Sequence, residues 1–162
     1  MRISEIGKEE LDDLLELYTH LHSQDAPLPE RSVVECLWSE VQGDARLKYF
    51  GAYAGQRLVS SCALSIIPNF TRGCRPYGLI ENVVTHGDFR RQGFGTAVMR
   101  HALDCAWAAG CYKVMLLTGR KDEGVFRFYE EVGFDRHSKQ AFMVRPSPQR
   151  CRRSGGGQPA PP

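Results

Sequence analysis

Arg90-Arg91-Gln92-Gly93-Phe94-Gly95 joins the end of an apolar run, Tyr77 to Thr85, to a segment with helical spacing. The chemistry written at such a junction is anion binding. Glycines let a backbone come close to an anion and take dihedral angles closed to other residues. A helix start offers unpaired N–H groups and the positive end of a dipole. Together these features make a pyrophosphate cradle, in which each charge-assisted hydrogen bond contributes about 1.5–3 kcal/mol. The candidate contacts are the main-chain groups of Arg91, Gln92, Gly93, Phe94, Gly95 and Thr96, with Arg90 and Arg91 adding positive charge. Other phosphate loops are excluded. No Gly-Lys-Ser/Thr follows a four-residue spacer, and Val98 stands where a dinucleotide fingerprint needs its third glycine. Taken alone, Gly-x-Gly at a helix start equally describes a capping turn beside two surface arginines.

The second informative stretch is Phe128-Tyr129-Glu130-Glu131-Val132-Gly133-Phe134. The two stretches in this order resemble the GNAT superfamily of acyl-CoA-dependent N-acyltransferases. Its pattern is [RQ]-x-x-G-x-[GA], met by Arg90, Gly93 and Gly95, followed by F-Y-x-x-x-G-F, met by Phe128, Tyr129, Gly133 and Phe134. The likeness spans residues 1 to 146. Within the family, Ile80-Glu81-Asn82, Gly110-Cys111-Tyr112-Lys113 and Phe128-Tyr129-Glu130 are similar to the glucosamine 6-phosphate N-acetyltransferases. Those enzymes carry an acid just after the strand that follows Lys113, where this chain reads Leu117-Thr118-Gly119-Arg120. Gly87 stands where the superfamily often has proline, and Asp122 where an asparagine often contacts the cofactor.

The resemblance implies an α/β fold, a GNAT-type mixed central sheet with helices on both faces and a strand-loop-helix pyrophosphate site. It implies acetyl-CoA as cosubstrate and no metal. Strand Tyr77 to Thr85 should splay from strand Lys113 to Thr118 beyond a bulge, opening a slot for the pantetheine arm. The freed backbone groups of Val83 and Thr85 would pair with its amides as an added strand does. The N–H of Val84 or a neighbour would polarise the thioester carbonyl. Asp122 and Phe128 would complete the cofactor side. A neutral amine then attacks the thioester carbon directly and CoA thiolate leaves. The acceptor ammonium, of pKa ~10, must lose a proton, and Glu81 is the candidate base. The thiolate, a group of pKa ~8.5, gains from a proton donor, and Tyr129 is the candidate acid. Holding the two substrates together supplies about 7–11 kcal/mol. Tyr129 also reads as a core aromatic with a satisfied hydroxyl, and Glu81 as a strand carboxylate paired with a neighbouring cation.

The implied partner is a small-molecule primary amine, an amino sugar or another anionic amine. It would lie between loops 22–32, 68–76 and 119–124, where Arg120 and Lys121 favour an anion. Two other functions fit the same residues. A non-catalytic acyl-CoA-binding or sensing module would keep the cradle without needing Tyr129 or Glu81. A transferase acting on protein lysines or N-termini would need an open groove. Dimers are frequent among similar proteins, so a homodimer is a further expectation.

The elements that must position these residues follow from pattern. Arg2 to Ile6 reads as a short strand. Glu9 to His22 is a helix with Leu11, Leu14, Leu15 and Leu17 at spacings of three and four. Ser23 to Pro29 is a loop, and Glu30 to Val41 a second helix. Lys48 to Tyr53, Arg57 to Ile67 and Tyr77 to Thr85 are β-branched or aromatic runs that read as consecutive antiparallel strands. Thr96 to Ala109 is a helix stopped by Gly110, Lys113 to Thr118 a buried parallel strand, and Asp122 to Val132 a helix stopped by Gly133. Gln140 to Arg145 reads as a closing strand. Residues 147–162, rich in Pro, Gly and Arg, are expected to be disordered because nothing there offsets the entropy of ordering.

With 162 residues, 42% hydrophobic and 25% charged, the chain is long enough for one domain with a buried core. Collagen, coiled coil and bulk disorder are excluded. The net charge of +2 comes from Arg150, Arg152 and Arg153 in the tail, so no nucleic-acid surface is indicated. No apolar run approaches the ~20 residues of a membrane span, and no signal-peptide core follows Met1. The expectation is a cytoplasmic protein without membrane contact. Its six cysteines lack C-x-x-C spacing and its histidines lack ligand spacing.

Overall fold

The computed structural model describes residues 1–21 and 25–146. The expected tail, 147–162, and the end of the first predicted helix at His22 lie outside the described residues. The element order is β1 (Arg2–Glu5), α1 (Leu11–Tyr18), α2 (Arg31–Gly43), β2 (Leu47–Ala54), β3 (Arg57–Ile67), β4 (Tyr77–Thr85), α3 (Phe94–Ala108), β5 (Val114–Leu116) and α4 (Glu123–Glu131). One five-stranded sheet runs β1-β2-β3-β4-β5. The first four strands are antiparallel to their neighbours, and β5 joins β4 in parallel.

Side-chain alternation divides the core between the two faces of this sheet. On one face Leu11, Leu14 and Leu17 of α1 and Trp38 and Val41 of α2 bury against Tyr53, Leu58 and Val84. On the other, Val98, Met99, Ala102 and Ala106 of α3 cover Phe50, Ala52, Val59, Leu64 and Ile80. Phe128, Tyr129, Val132 and Phe134 at the end of the chain pack against that second cluster. Helices therefore stand on both faces, as expected.

Most boundaries shift by one or two residues from the sequence reading, α1 ends at Tyr18 with Thr19–Leu21 in a turn, and three further differences have clear causes or consequences. Helix α1 is shorter at its start, because Lys8–Glu10 forms a 3-10 turn in which Glu10 Oε2 accepts the Gly7 N–H at 2.7 Å. Helix α3 begins at Phe94, two residues early, so the glycine pair is part of the helix start itself. Strand β5 is confined to three residues. The closing strand expected over Gln140 to Arg145 is not formed: those residues carry no regular structure, and Phe142 and Val144 are 92% and 94% exposed. Strand propensity measures fit to a pleated, half-buried surface, and this segment stays exposed and unpaired although β5 is an edge strand of the sheet.

Candidate active site

Strand β4 is paired on both edges at its start and on one edge at its end. Strand β5 reaches only Gly78, Leu79 and Ile80, whereas β3 stays paired with β4 up to Thr85. The opening begins at a bulge. Ala63 pairs with Glu81 and Ser61 with Val84, so Asn82 and Val83 together face Cys62 alone. Asn82 takes φ 53 there, in the left-handed region that Asn tolerates better than most residues. The extra residue resets the face pattern: Ile80 and Val83 both meet the α3 cluster, and Val84 meets the α1 cluster. Glu81 and Asn82 are exposed although they lie within the sheet.

Edge orientation follows from the ladder. The His86 N–H donates to the Val59 carbonyl at 2.8 Å. Backbone groups in an antiparallel strand alternate in direction, so Val84 also turns toward β3 and Val83 and Thr85 turn toward the open edge. The Thr85 carbonyl confirms this by accepting from Arg90 Nε at 3.2 Å. The Ser60 hydroxyl fixes this part of β4 from the other side, donating to the Val84 carbonyl at 2.7 Å and lying 2.8 Å from Thr85 Oγ1.

At the end of β4 the chain turns into α3. Arg91 (φ 60) and Gly93 (φ 84) both take left-handed conformations. Gly93 caps α3 without a side chain. Among the described residues no backbone carbonyl or side chain accepts the N–H groups of Arg91 through Thr96, and Ala97 is the first to find one, the Gly93 carbonyl at 2.9 Å. Gly95 serves a different purpose. A Cβ there would lie 3.1 Å from Thr85 Oγ1 and 3.3 Å from the Phe128 ring. The small residue therefore lets α3, β4 and α4 meet, and couples the two sequence motifs physically. The Gln92 side chain braces the turn, Nε2 donating to the Asp88 carbonyl at 2.8 Å.

The proton-handling candidates converge on the same opening. Tyr129 is half-buried on α4, against Phe128 and Phe134 at ring separations of 5.0 and 6.3 Å. Burial pushes its phenol above the usual range; Arg120 opposes this, and the charge of Glu81 and then Cys62 add to it. Partial desolvation beside the sheet also raises the Glu81 carboxyl, although the residue keeps contact with solvent. The Cys62 thiol, buried under the bulge, is pushed up to about 12. At neutral pH it is a protonated packing group and no nucleophile.

These features match known proteins. The model of the acetyltransferase (GNAT) family matches residues 9–134. The chain belongs to the GNAT family. As a GNAT protein it is an acyl-CoA-dependent N-acetyltransferase, and members of the family use acetyl-CoA as cosubstrate. It is 33% identical over 83% of its length to glucosamine 6-phosphate N-acetyltransferase of Trypanosoma brucei brucei, covering 89% of that protein. A structure from Agrobacterium tumefaciens, described as a candidate acetyltransferase, is 40% identical with a TM-score of 0.84, over 90% of this chain and 100% of that one. A Trypanosoma brucei acetyltransferase structure is 31% identical with a TM-score of 0.71, over 89% and 99%.

Against the GNAT pattern, the sequence-derived residues fall into two groups. Glu81, Val83, Thr85, Tyr129, Phe128 and the 91–96 turn border one opening. Arg90 and Asp122 are already engaged by protein groups, Arg90 at the end of β4 and Asp122 at its own helix start. Arg90 donates to Thr85 and to the His20 carbonyl at 3.4 Å, and Asp122 caps α4 by accepting from the Val125 N–H at 3.0 Å. Sequence reasoning passed over Asn82. Asn82 carried a signal, since asparagine in a strand invites a left-handed residue. Among the described residues no helix is long and apolar enough to cross a membrane, and no cluster of three metal-ligating side chains occurs.

Proposed function

We propose that this protein transfers the acetyl group of acetyl-CoA to the primary amine of a small, oxygen-bearing molecule, with an anionic amino sugar as the preferred class. The observation that carries the reading is the one-sided end of β4, where the backbone groups of Val83 and the N–H of Thr85 face no partner strand and lead directly into the unpaired N–H groups of Arg91 to Thr96, while the Thr85 carbonyl is held by Arg90. The first fits the amides of a pantetheine arm as a partner strand would. The second fits a pyrophosphate. The thioester would then lie at the bulge, where the outward N–H of Val83 serves its carbonyl better than Val84, which faces β3.

The amine nitrogen attacks the thioester carbon, the C–N bond forms and the C–S bond breaks. Glu81, directly or through water, removes the proton that the acceptor nitrogen sheds. Its raised pKa brings it nearer the operating pH, where a general base works best. Tyr129 gives its proton to the departing thiolate and regains one from solvent. Cys62, fully buried with its thiol donating to the Val98 carbonyl, is no candidate for an acyl-cysteine intermediate, so attack is written as direct. Arg120, beside Tyr129 and donating to the Leu21 carbonyl at 3.4 Å, puts positive charge at the acceptor's side of the opening. The name of the trypanosomal relative, glucosamine 6-phosphate N-acetyltransferase, supports the choice of an anionic amino sugar.

The test is thiol release from acetyl-CoA with glucosamine 6-phosphate, glucosamine, simple amines and a lysine peptide. Turnover that prefers the phosphorylated sugar is expected. Tight CoA binding without turnover on any amine would favour a sensing module instead, and turnover on the peptide alone a protein acetyltransferase.

A further inference from the structure

His86 follows directly on β4 and opens the turn that leads to α3. Its ring is buried although it lies outside the sheet. Both ring nitrogens face hydrogen-bond donors. The Asp88 N–H lies 3.2 Å from Nδ1, and Nη2 of Arg57, at the start of β3, lies 2.9 Å from Nε2. A neutral imidazole has one lone pair and accepts one of the two, whereas an imidazolium has none. A second proton would therefore remove the remaining bond and set a cation against the guanidinium. The other titratable groups around the ring come from α1 and from the turn itself. The His20 ring lies tilted against it, 4.0 Å between centroids, with Nδ1 3.4 Å from the Gly87 N–H. Glu16 pairs with Arg57 at 3.7 Å, and Asp13 lines the small hollow beside the ring. Asp88 Oδ2 stands 3.9 Å from Nδ1, on a side chain open to solvent. Desolvation, then His20 and Arg57, hold the ring below its ordinary 6.5, against the pull of Asp88 and Glu16.

Two routes connect this ring to the N–H groups of 91–96. The first is hydrogen-bonded. His86 caps the 3-10 turn Gly87–Phe89 by accepting from Asp88, and the Asp88 carbonyl in turn accepts from Gln92 Nε2 at 2.8 Å. The second is packing. The ring meets Phe89 edge to face at 5.5 Å, and Phe89 meets Phe94, the first residue of α3, at 5.9 Å. The Arg57 guanidinium spans the same path, 5.7 Å from the Phe89 centroid. The turn needs such a frame, because Arg91 sits in the left-handed region at φ 60, which a side chain with a Cβ disfavours.

We propose that His86 is a positioning residue for the pyrophosphate turn and holds it only as a neutral ring, so that CoA and a second proton on His86 exclude one another. A protonated ring has no lone pair left, lets go of Asp88 and Arg57, and removes the frame that aims the N–H groups of 91–96. CoA needs that frame, so the coupling is reciprocal: acid weakens CoA binding, and CoA makes His86 harder to protonate. The neutral form prevails above the ordinary histidine value and is lost as pH falls through the lowered one. Plain charge attraction has the opposite sign, since a pyrophosphate near an imidazolium favours the proton. This inference rests on the reading of the 91–96 turn as the pyrophosphate site of CoA.

The experiment follows the ring signals of the full-length wild-type protein by NMR, assigned through the backbone, from about pH 8 to about pH 5. The titration is run without ligand and with saturating dephospho-CoA, which keeps the pyrophosphate but lacks the 3′-phosphate that itself titrates near pH ~6. His86 is expected to protonate at a lower pH in the complex, by about half a pH unit or more. Calorimetry with the same ligand should give a wild-type Kd about three to ten times higher at about pH 5.5 than at about pH 8. In His86→Asn, whose amide oxygen can accept the Asp88 N–H but does not titrate, that ratio should fall below about two. His86→Ala, with no acceptor, should bind more weakly than His86→Asn at both pH values. A purely structural role would lower the unliganded Tm of the variants and leave the wild-type His86 titration indifferent to ligand. A His86 titration that the ligand leaves in place or moves upward overturns the proposal, as does a pH dependence that persists in His86→Asn. If His86→Asn does not fold, the wild-type NMR titration decides alone. No binding of dephospho-CoA or CoA by the wild type at about pH 8 overturns the reading of the turn and this inference together. Binding that leaves His86 unmoved overturns only the role of His86.

Discussion

The two halves of β4 are nine consecutive residues of one strand with different partners. Tyr77 to Ile80 lies between β3 and β5, and its glycine is squeezed: a Cβ on Gly78 would lie 3.1 Å from Val114 and 3.2 Å from Leu64. Glu81 to Thr85 has β3 on one edge and open space on the other, and exposes Glu81 and Asn82. The lesson is that a single extra residue, Asn82, converts a strand that builds the core into one that offers its backbone to something else. Substitutions in the first half should change stability, and those in or facing the second half should change chemistry.

The largest effect should come from the side chain across the opening. Tyr129→Phe is expected to lower kcat about 100-fold or more, within the range for a lost general acid, while calorimetry shows CoA affinity nearly unchanged. Full activity in that variant would remove Tyr129 from the mechanism. Glu81→Gln should lower kcat by about tenfold to 100-fold and change the pH–rate profile. The Glu81 carboxyl is raised by partial desolvation, and a base works only when deprotonated, so the wild-type rate should fall as pH drops through that raised value. The glutamine variant should lose this acidic limb; an unshifted profile would exclude Glu81 as base.

Smaller effects separate binding from folding. Gly95→Ala pushes a methyl against Thr85 and Phe128, which should displace the start of α3. CoA affinity is expected to weaken about tenfold, or about 1.4 kcal/mol, measured by calorimetry. Gly78→Ala meets Val114 and Leu64 in the closed half. Its expected cost is about 1–3 kcal/mol of stability, as for other overpacked sites, read from denaturant unfolding, with kcat within about twofold of wild type. If Gly78→Ala damaged kcat more than Gly95→Ala damaged CoA binding, the contrast between the halves would be wrong.

Much of this fold is legible before any coordinates. The leucines of α1 recur at helical spacing, and Arg57 to Ile67 and Tyr77 to Thr85 match strands β3 and β4 end to end, because long elements buried on both faces leave strong patterns. Short or partner-dependent elements are less legible. Lys113 to Thr118 reads as six strand residues, but β4 turns away after Ile80 and only Val114–Leu116 pair. Gln140 to Arg145 has strand-like residues and no partner. At the site, the glycines and Tyr129 stand out because each belongs to a motif. Asn82 does not, since a bulge is a property of register and packing, which no local window of sequence contains. The same holds for Arg90, whose side chain is drawn to the carbonyl of His20, far away in the chain, whereas Asp122 caps its own helix by a local bond to Val125.

The central claim is that the open edge of β4 and the N–H groups that follow it receive the pantetheine and pyrophosphate of a thioester carrier. Isothermal titration of the full-length protein with acetyl-CoA and with CoA tests it most directly. One site per chain is expected, with a Kd on the order of micromolar (about −8 kcal/mol), weakened in Gly95→Ala and retained in Tyr129→Phe. Absence of binding to either ligand by the folded wild-type protein would contradict the account at its base.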